Sequence, residues 1–345
     1  MYSKDQITRG IQNPTKIKQE LGWQLEYLRS YIPHDIGIQG SYRTGNIGDR
    51  AIGIALQRAL SGENTDVKIF GKQVSQSNAR AHILGGGGVL HDWYGIEHLI
   101  PRLSFLANNF AVIGIGVPGF KYEKSQQLVS DKLAGAKLVT VRDDQSKNQL
   151  ETVYSGKIYT TACPALTLDK PDITNTSRTG VNFRPWYNLS SKTLSMYFGY
   201  EDGLNVNDAR NAYISNINII CDSVPDPIFI PFHKEDEKFA KKNLDIEVLP
   251  YKFSVEETLQ RVNSVERMVA TRYHSLIFSI ICNKAVLAIG YAPKVRNLAE
   301  RIDVSHYSPH KDIPIRFDEI NNRDQIRQEA ERNFRLIDKY LNDVL

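Results

Sequence analysis

Arg272 and His274 flank Tyr273 in Thr271-Arg-Tyr-His-Ser275, where the apolar run Met268-Val269-Ala270 gives way to a helix predicted from Ser275 to Ile281. A helix start collects unpaired N–H groups and partial positive charge, so an arginine placed there is unfavourable until a negative ligand completes the site. The chemistry this suggests is the binding of a small anion beside a group that titrates near neutrality. The competing reading is an arginine that runs out to water and a histidine satisfied in the core.

Other segments could face the same ligand. Gly40-Ser-Tyr-Arg-Thr-Gly-Asn-Ile-Gly-Asp49 follows a strand predicted near Asp35 to Gln39 and precedes a helical pattern at Ile52, Ala55, Leu56 and Ala59. Its glycines let the backbone pass close to a ligand while Asn46 and Asp49 present polar groups, although Asp49 also suits a helix N-cap. Gly85-Gly-Gly-Gly88, directly after His82-Ile83-Leu84, is costly to order unless something must approach closely, and it lacks the Gly-Lys-Ser or Gly-Lys-Thr ending of a P-loop. Gly114-Ile-Gly-Val-Pro-Gly119 matches a dinucleotide fingerprint in form only, because Pro118 and the following Lys-Tyr-Glu-Lys fit that turn poorly. Thr140-Val-Arg-Asp-Asp144 ends another strand and brings Arg142 to the edge of the glycine loops, either for a ligand or paired with Asp143 or Asp144. His82, His91, His98 and His233 have no informative partner spacing, so surface or core roles are expected of them.

These residues need a scaffold, and the hydrophobic pattern supplies one. Ile17, Leu21, Leu25 and Leu28 repeat at helical spacing and predict an N-terminal amphipathic helix. Apolar runs at Ala81 to Leu84, Phe110 to Ile115 and Leu138 to Val141 alternate with helical stretches, which means a parallel sheet covered on both faces. The polar, turn-rich segment from Leu168 to Gly180 reads as a linker. Beyond it, strands are expected at Val181 to Phe183, Pro227 to Ile230, Glu247 to Leu249, Arg267 to Ala270 and Ala285 to Ile289. Helices are expected near Ala212 to Cys221, Glu235 to Lys242 and Ser254 to Val265, and a C-terminal amphipathic helix over Ile326, Ala330, Phe334, Ile337 and Leu341. The expected architecture is α/β: two doubly wound domains, 1–170 and 171–345, facing across a cleft at the carboxyl ends of their strands.

Composition is consistent with that architecture. The 345 residues are 41% hydrophobic and 24% charged, ordinary globular values for a chain long enough for two domains. No run of eighteen apolar residues exists and Met-Tyr-Ser-Lys-Asp-Gln lacks a signal-peptide core, so a cytoplasmic location is expected. The formal net charge of +4, with no basic cluster interleaved with aromatics, points away from nucleic acid and suits a small anionic substrate. Cys163, Cys221 and Cys282 lie far apart without Cys-x-x-Cys spacing, so neither a disulfide framework nor a zinc site is expected.

Together, Gly45-Asn-Ile-Gly-Asp49, Gly85 to Gly88, Gly114-Ile-Gly116, Val141-Arg-Asp143, Pro164-Ala-Leu166, Arg272-Tyr-His-Ser275 and Tyr291-Ala-Pro-Lys-Val295 resemble the polysaccharide pyruvyl transferase family over residues 36 to 302. The resemblance implies two Rossmann-like domains in the GT-B-like arrangement of many nucleotide-sugar glycosyltransferases. It also implies transfer of pyruvate from phosphoenolpyruvate onto two hydroxyls of a sugar as a cyclic ketal. Donor-binding and acid roles fall on Arg272 and His274, with a further donor contact from Arg142. Tyr273, Ser275 and Lys294 are expected beside them, and Asn46, Asp49, Gly86 and Gly87 on the acceptor side. Where the family usually shows an aspartate before Pro164-Ala165, this chain has Cys163, so any charge supplied there is lost or comes from elsewhere.

The implied chemistry suits these residue types. A carboxylate and a phosphate on one small carbon frame require planar bidentate donors such as Arg272 and Arg142. Ketal formation needs a proton on the methylene carbon, which a histidine of near-neutral pKa such as His274 can deliver. The scheme expects no cofactor beyond phosphoenolpyruvate as co-substrate, and no metal. Its acceptor is a sugar or glycan of exopolysaccharide or cell-envelope synthesis, including one carried on a lipid, with the protein then peripheral to the inner face of the membrane. Two alternatives stand beside it: a nucleotide-sugar glycosyltransferase in which Arg272 grips a diphosphate and Asp49 is a base, and a catalytically silent sugar- or anion-binding relative. The aromatic segments Phe183-Arg-Pro-Trp-Tyr187 and His91-Asp-Trp-Tyr94 could stack on sugar rings or serve packing.

Overall fold

Strands that are covered on both faces have no polar side to show, and Phe110–Gly116 is accordingly buried at all seven positions. The computed structural model describes residues 14–345 except 108 and 175, with side chains from residue 21 onward. In the first lobe, β1 (His34–Gly40), β2 (Val67–Gly71), β3 (Ala79–Gly88), β4 (Phe110–Gly116), β5 (Leu138–Val141) and β6 (Tyr159–Thr160) form one sheet ordered β2-β1-β3-β4-β5-β6. In the second, β7 (Thr179–Asn182), β8 (Pro227–Phe229), β9 (Glu247–Val248), β10 (Arg267–Ala270), β11 (Ala285–Ile289) and β12 (His306–Tyr307) are ordered β12-β11-β10-β7-β8-β9. Every pairing within both sheets is parallel. The α/β architecture expected from the alternation is therefore present. The sequence pattern misses three edge strands: β6 and β12, of two residues each, and β2, whose Val67-Lys-Ile-Phe-Gly71 is short and not among the expected strands.

The helices are α1 (Pro14–Ser30), α2 (Ile47–Leu60), α3 (Ile100–Phe105), α4 (Glu123–Leu133), α5 (Asp144–Glu151), α6 (Ser191–Phe198), α7 (Val206–Ser223), α8 (Lys234–Asn243), α9 (Val255–Ser264), α10 (Tyr273–Cys282), α11 (Pro293–Arg301) and α12 (Arg323–Asn342). The apolar core of the second lobe runs without interruption through α10, the turn at Pro164–Thr167 and α2 into one face of the first sheet. A separate cluster fills the other face. The lobes are thus joined by packed side chains as well as by the irregular chain from 168 to 178, in which residue 175 lies outside the described residues.

Two expectations change. The division at 170/171 assigns α12 to the second domain, yet this helix returns to the first. There Asn333 accepts hydrogen bonds from Thr140 Oγ1 (2.6 Å) and Thr161 Oγ1 (2.8 Å) and donates to the Ala162 carbonyl (2.9 Å). The periodicity of α12 marked a buried face but not which sheet would cover it. In α1 the outcome is reversed: Leu21, Leu25 and Leu28 face solvent, while Glu26 and Ser30 face the protein. Ile17, counted in the same stripe, lies outside the described side chains, as does the N-terminal Met-Tyr-Ser-Lys-Asp-Gln.

Candidate active site

The site lies where the strands of both sheets end. Strand order reverses direction at β1/β3 in the first sheet and at β7/β10 in the second, and such switch points leave a crevice beyond the carboxyl ends. A cavity of about 150 Å3 occupies it, walled by Asn46, Asp49, Gly88 and Trp93 from first-lobe loops, by Arg142 and Asp143 from the β5–α5 junction, and by Lys294 from α11. Trp93 reaches across to Tyr197 and Phe198 of α6, with ring centroids 5.2 and 5.1 Å apart, and closes one end.

Arg272 stands at the start of α10 as expected, but it already has its anion. Its Nε and Nη2 donate to the two oxygens of Asp236 at 2.7 and 2.5 Å, and the Asp236 side chain is fully buried on α8. Burial alone would lower the arginine's pKa, and the carboxylate more than restores it. The expectation that an external ligand must complete Arg272 is therefore corrected: an internal carboxylate satisfies the fork, and Asp236 is held further by the Phe232 N–H (3.1 Å). The one sequence signal for Asp236 is its position four residues before Ala240, the other inward-facing residue of an otherwise charged helix. Ser275 is also inside the fold, with its hydroxyl donating to the Arg272 carbonyl at 2.7 Å, so it braces the helix start.

Arg142 does face the cavity, and its placement depends on three neighbours. Asp143 caps α5 by accepting from Ser146 N (2.7 Å) and takes the Arg142 Nε at 3.1 Å with its other oxygen. Tyr273 lies flat beneath the guanidinium, 4.3 Å from its ring centre, and is buried. This makes Tyr273 a support for Arg142 and takes it out of the donor-contact set. Gly116 is required on the opposite side, because a Cβ there would come within 2.5 Å of Arg142 Nη2.

His274 packs against Gly48, where a Cβ would stand 2.0 Å from the imidazole Cγ. Its Nε2 is 3.7 Å from the Cys163 sulfur. Burial lowers its pKa well below the usual value, and Arg142, Lys294 and Arg272 lower it further. The near-neutral pKa expected of this histidine is thus corrected: the surroundings the protein provides favour the neutral imidazole. The departure at Cys163 matters here: burial pushes that thiol up to about 11, so the position supplies no negative charge to hold a proton on His274.

On the first lobe, Asn46 and not Asp49 caps α2, its side-chain oxygen accepting from Gly48 N at 2.9 Å. The Asp49 carboxylate is left in the cavity wall, where it accepts no hydrogen bond from a described residue. Burial raises its pKa, and Lys294, Arg142, Arg272 and Arg102 oppose that rise. The acceptor role expected of Gly86 is corrected, because it packs under Ile52, whose Cγ2 a Cβ there would meet at 2.0 Å. Gly87 lies beside Asp49, and it is Gly88 that lines the cavity. Phe183, Trp186 and Tyr187 are buried packing residues, and of the two aromatic segments it is Trp93 that lines the cavity, together with Tyr197 and Phe198.

Arg102 was not singled out from sequence, Tyr291 entered only as part of a motif, and Lys294 was expected on the donor side. Tyr291, after β11, accepts a hydrogen bond from Arg184 Nη1 at 2.8 Å. Burial would raise its pKa, but Arg184, Lys294 and Arg272 outweigh burial and bring it to about 7. Arg102 on α3 is buried, donates to the His98 carbonyl at 3.2 Å, and has an Nε without a partner. Lys294 has no carboxylate within ion-pair distance among the described residues; burial lowers its pKa, and Tyr291 opposes that shift most strongly. Among the described residues, no group of three or more His, Cys, Asp or Glu side chains is placed to hold a metal ion. The three cysteines are free and buried.

A model of the polysaccharide pyruvyl transferase family matches residues 46–293, from the Asn46 cap to the first residue of α11. The chain belongs to the polysaccharide pyruvyl transferase family. No curated protein matches its sequence. Among solved structures, a UDP-GlcNAc 2-epimerase of Methanocaldococcus jannaschii, in complex with UDP-GlcNAc and UDP, is 11% identical with a TM-score of 0.50, covering 88% of this chain and 99% of that one. An uncharacterised Klebsiella pneumoniae protein is 11% identical with a TM-score of 0.46, covering 85% and 98%. An E. coli heptosyltransferase with ADP is 14% identical with a TM-score of 0.32, covering 78% and 97%. At 11% identity the likeness to the epimerase is one of fold alone, two doubly wound lobes in a GT-B-like arrangement.

Proposed function

We propose that this pyruvyl transferase takes its pyruvyl group from phosphoenolpyruvate and places it on two hydroxyls of a sugar as a cyclic ketal, with release of phosphate. The observation that carries the reading is the charge layout of the cavity. Arg142 and Arg272 are each already matched by a carboxylate, whereas Lys294 has no carboxylate partner among the described residues, only the Tyr291 phenol, and lines the same cavity as Asp49. A small anion held by Lys294 and the free N–H groups of Arg142 would lie between His274 and the first-lobe carboxylate.

Binding of such a donor reverses the field on His274. Burial first, and then the charges of Arg142, Lys294 and Arg272, keep the imidazole neutral; the donor's negative charges offset the three cations and so favour uptake of a proton from solvent. His274 then protonates the methylene carbon of phosphoenolpyruvate, and a sugar hydroxyl attacks the adjacent carbon while Asp49 removes the hydroxyl proton. The second hydroxyl closes the ring as the C–O bond to phosphate breaks, with Lys294 and Arg142 stabilising the departing dianion. Atoms balance: the His274 proton enters the new methyl group, Asp49 takes the proton of the first hydroxyl, and the proton of the second leaves with the phosphate as hydrogen phosphate.

The cavity of about 150 Å3 supports a three-carbon phosphate over a nucleotide-diphosphate sugar, whose class of ligand occupies about 300 Å3 or more. The decisive experiment runs the reaction in heavy water with a panel of glycan acceptors. Deuterium is expected in the ketal methyl group, and His274→Gln should lose about two orders of magnitude in turnover while phosphoenolpyruvate affinity stays within about tenfold. Sugar transfer from a nucleotide donor, with no pyruvyl product, would replace this reading by the glycosyltransferase one.

A further inference from the structure

Sixteen large hydrophobic side chains are exposed among the described residues, and seven of them fall between residues 21 and 32. The concentration is a property of one helix face. Leu21, Leu25 and Leu28 follow the helical repeat along the outer side of α1, with exposures of 45, 61 and 64%, and Ile32 continues them. Trp23, Tyr27 and Tyr31 flank this stripe, the two tyrosine rings packed edge to face at 5.2 Å. The helix is not held to the protein by its apolar side at all. Its inner face carries Glu26, 2% exposed, which accepts from the Gly71 N–H (3.0 Å) and the Gln73 amide (2.6 Å) and pairs with Arg43 Nε at 2.5 Å.

A buried carboxylate with three partners fixes the orientation of α1 and keeps the leucine stripe turned outward. We propose that this face of α1 seats the protein on the surface of an anionic lipid bilayer, with the helix lying in the interface plane. Three features select a bilayer over a second copy of the chain. A stripe of leucine and isoleucine bordered by Trp and Tyr is the arrangement that partitions into the headgroup and acyl boundary. Residues 1–32 contain five basic residues, Lys4, Arg9, Lys16, Lys18 and Arg29, against Asp5, Glu20 and Glu26. Among the described side chains Arg29 is exposed while Glu26 is turned inward on Arg43, so the charge of the described face, like the net charge of the segment, favours anionic headgroups. Finally, a stable homodimer needs about 800 Å2 per partner, whereas α1 from Leu21 to Ser30 is a single ridge roughly 15 Å long.

The position of the helix gives such docking a consequence. Gly71 ends β2, and Arg43 belongs to the loop between β1 and α2, so α1 is tied to the edge of the first lobe that opens onto the cleft. A bilayer at α1 would run beside the loop that leads to Asn46 and Asp49. No helix of the described residues is long and apolar enough to cross a membrane, which leaves surface seating as the mode available to α1. The proposal concerns a surface outside the cleft and does not rest on the pyruvyl-transfer reading.

The test is sedimentation of the full chain with vesicles of phosphatidylglycerol and phosphatidylethanolamine, and with vesicles of phosphatidylcholine alone. The wild type is expected to sediment with the anionic vesicles, and less so at high salt. Combined Leu21→Gln, Leu25→Gln and Leu28→Gln should weaken that binding roughly tenfold or more, with the melting temperature and oligomeric state unchanged because all three residues are exposed. A wild type that stays in the supernatant with both vesicle types overturns the proposal, as does vesicle binding that the triple variant retains. A concentration-dependent dimer that the triple variant abolishes, without vesicle binding, assigns the face to a second copy. Binding that emerges only after residues 1–13 are removed assigns it to that segment.

Discussion

Lys294→Met tests the charge layout most directly, because it replaces an ammonium with an apolar group of similar length. Within the protein this lysine acts on two titrating neighbours: it helps bring Tyr291 to about 7 and helps push His274 down. If it also grips the donor, its removal eliminates a charge-assisted contact worth about 1.5–3 kcal/mol, or roughly 10- to 150-fold in the dissociation constant of phosphoenolpyruvate. The other cations cannot replace it, since Arg272 is held at both ends of its fork by Asp236 and Arg142 is pinned between Tyr273 and Asp143. Calorimetric titration measures the affinity, and ultraviolet titration of tyrosinate, with Tyr291→Phe as the blank, measures the neighbour. Fewer cations around the phenol disfavour its ionised form, so the Tyr291 midpoint should rise from about 7 in the same variant. A midpoint that rises while donor affinity is unchanged would refute the reasoning, for it would show Lys294 where the structure has it but out of contact with the donor.

Further outcomes follow from the neighbours of the reacting groups. Gly48→Ala puts a methyl group where the His274 ring lies, at 2.0 Å from Cγ, and should reduce turnover more than donor affinity; near-normal turnover would mean that the ring position is not limiting. Cys163→Asp places a carboxylate beside His274 in exchange for a neutral thiol, which should raise the histidine's pKa. The falling limb of the rate at high pH should then move to higher pH, and an unmoved limb would separate His274 from that ionisation. Asp49→Asn should lower turnover by about two orders of magnitude while leaving phosphoenolpyruvate binding intact, and a change in melting temperature alone would confine Asp49 to a structural role. Asn46→Ala removes the α2 cap and should cost about 1 kcal/mol of stability in denaturant unfolding; an unchanged stability would show that the cap hydrogen bond contributes little.

Local pattern determined much of this protein. Alternating apolar runs and helical stretches specify parallel sheets covered on both faces, and strand-to-helix junctions carrying Arg142, Arg272 and His274 specify the edge at which a ligand is met, because both features depend only on near neighbours in the chain. Even the departure at Cys163 is legible, as a missing charge. Tertiary structure decided what those residues are matched with. Asp236 lies 36 positions from Arg272 in sequence and satisfies it, Cys163 lies 111 positions from His274 and touches it, and Tyr291 owes its depressed pKa to Arg184 and Arg272 on two distant segments together with nearby Lys294. The same limit explains the two terminal helices, since periodicity marks an apolar face but not what will cover it: α12 finds the first sheet, and in α1 the buried Glu26 turns the leucines toward solvent. A pKa and a helix orientation both depend on charges and surfaces gathered from distant parts of the chain, and a linear sequence does not list those distances.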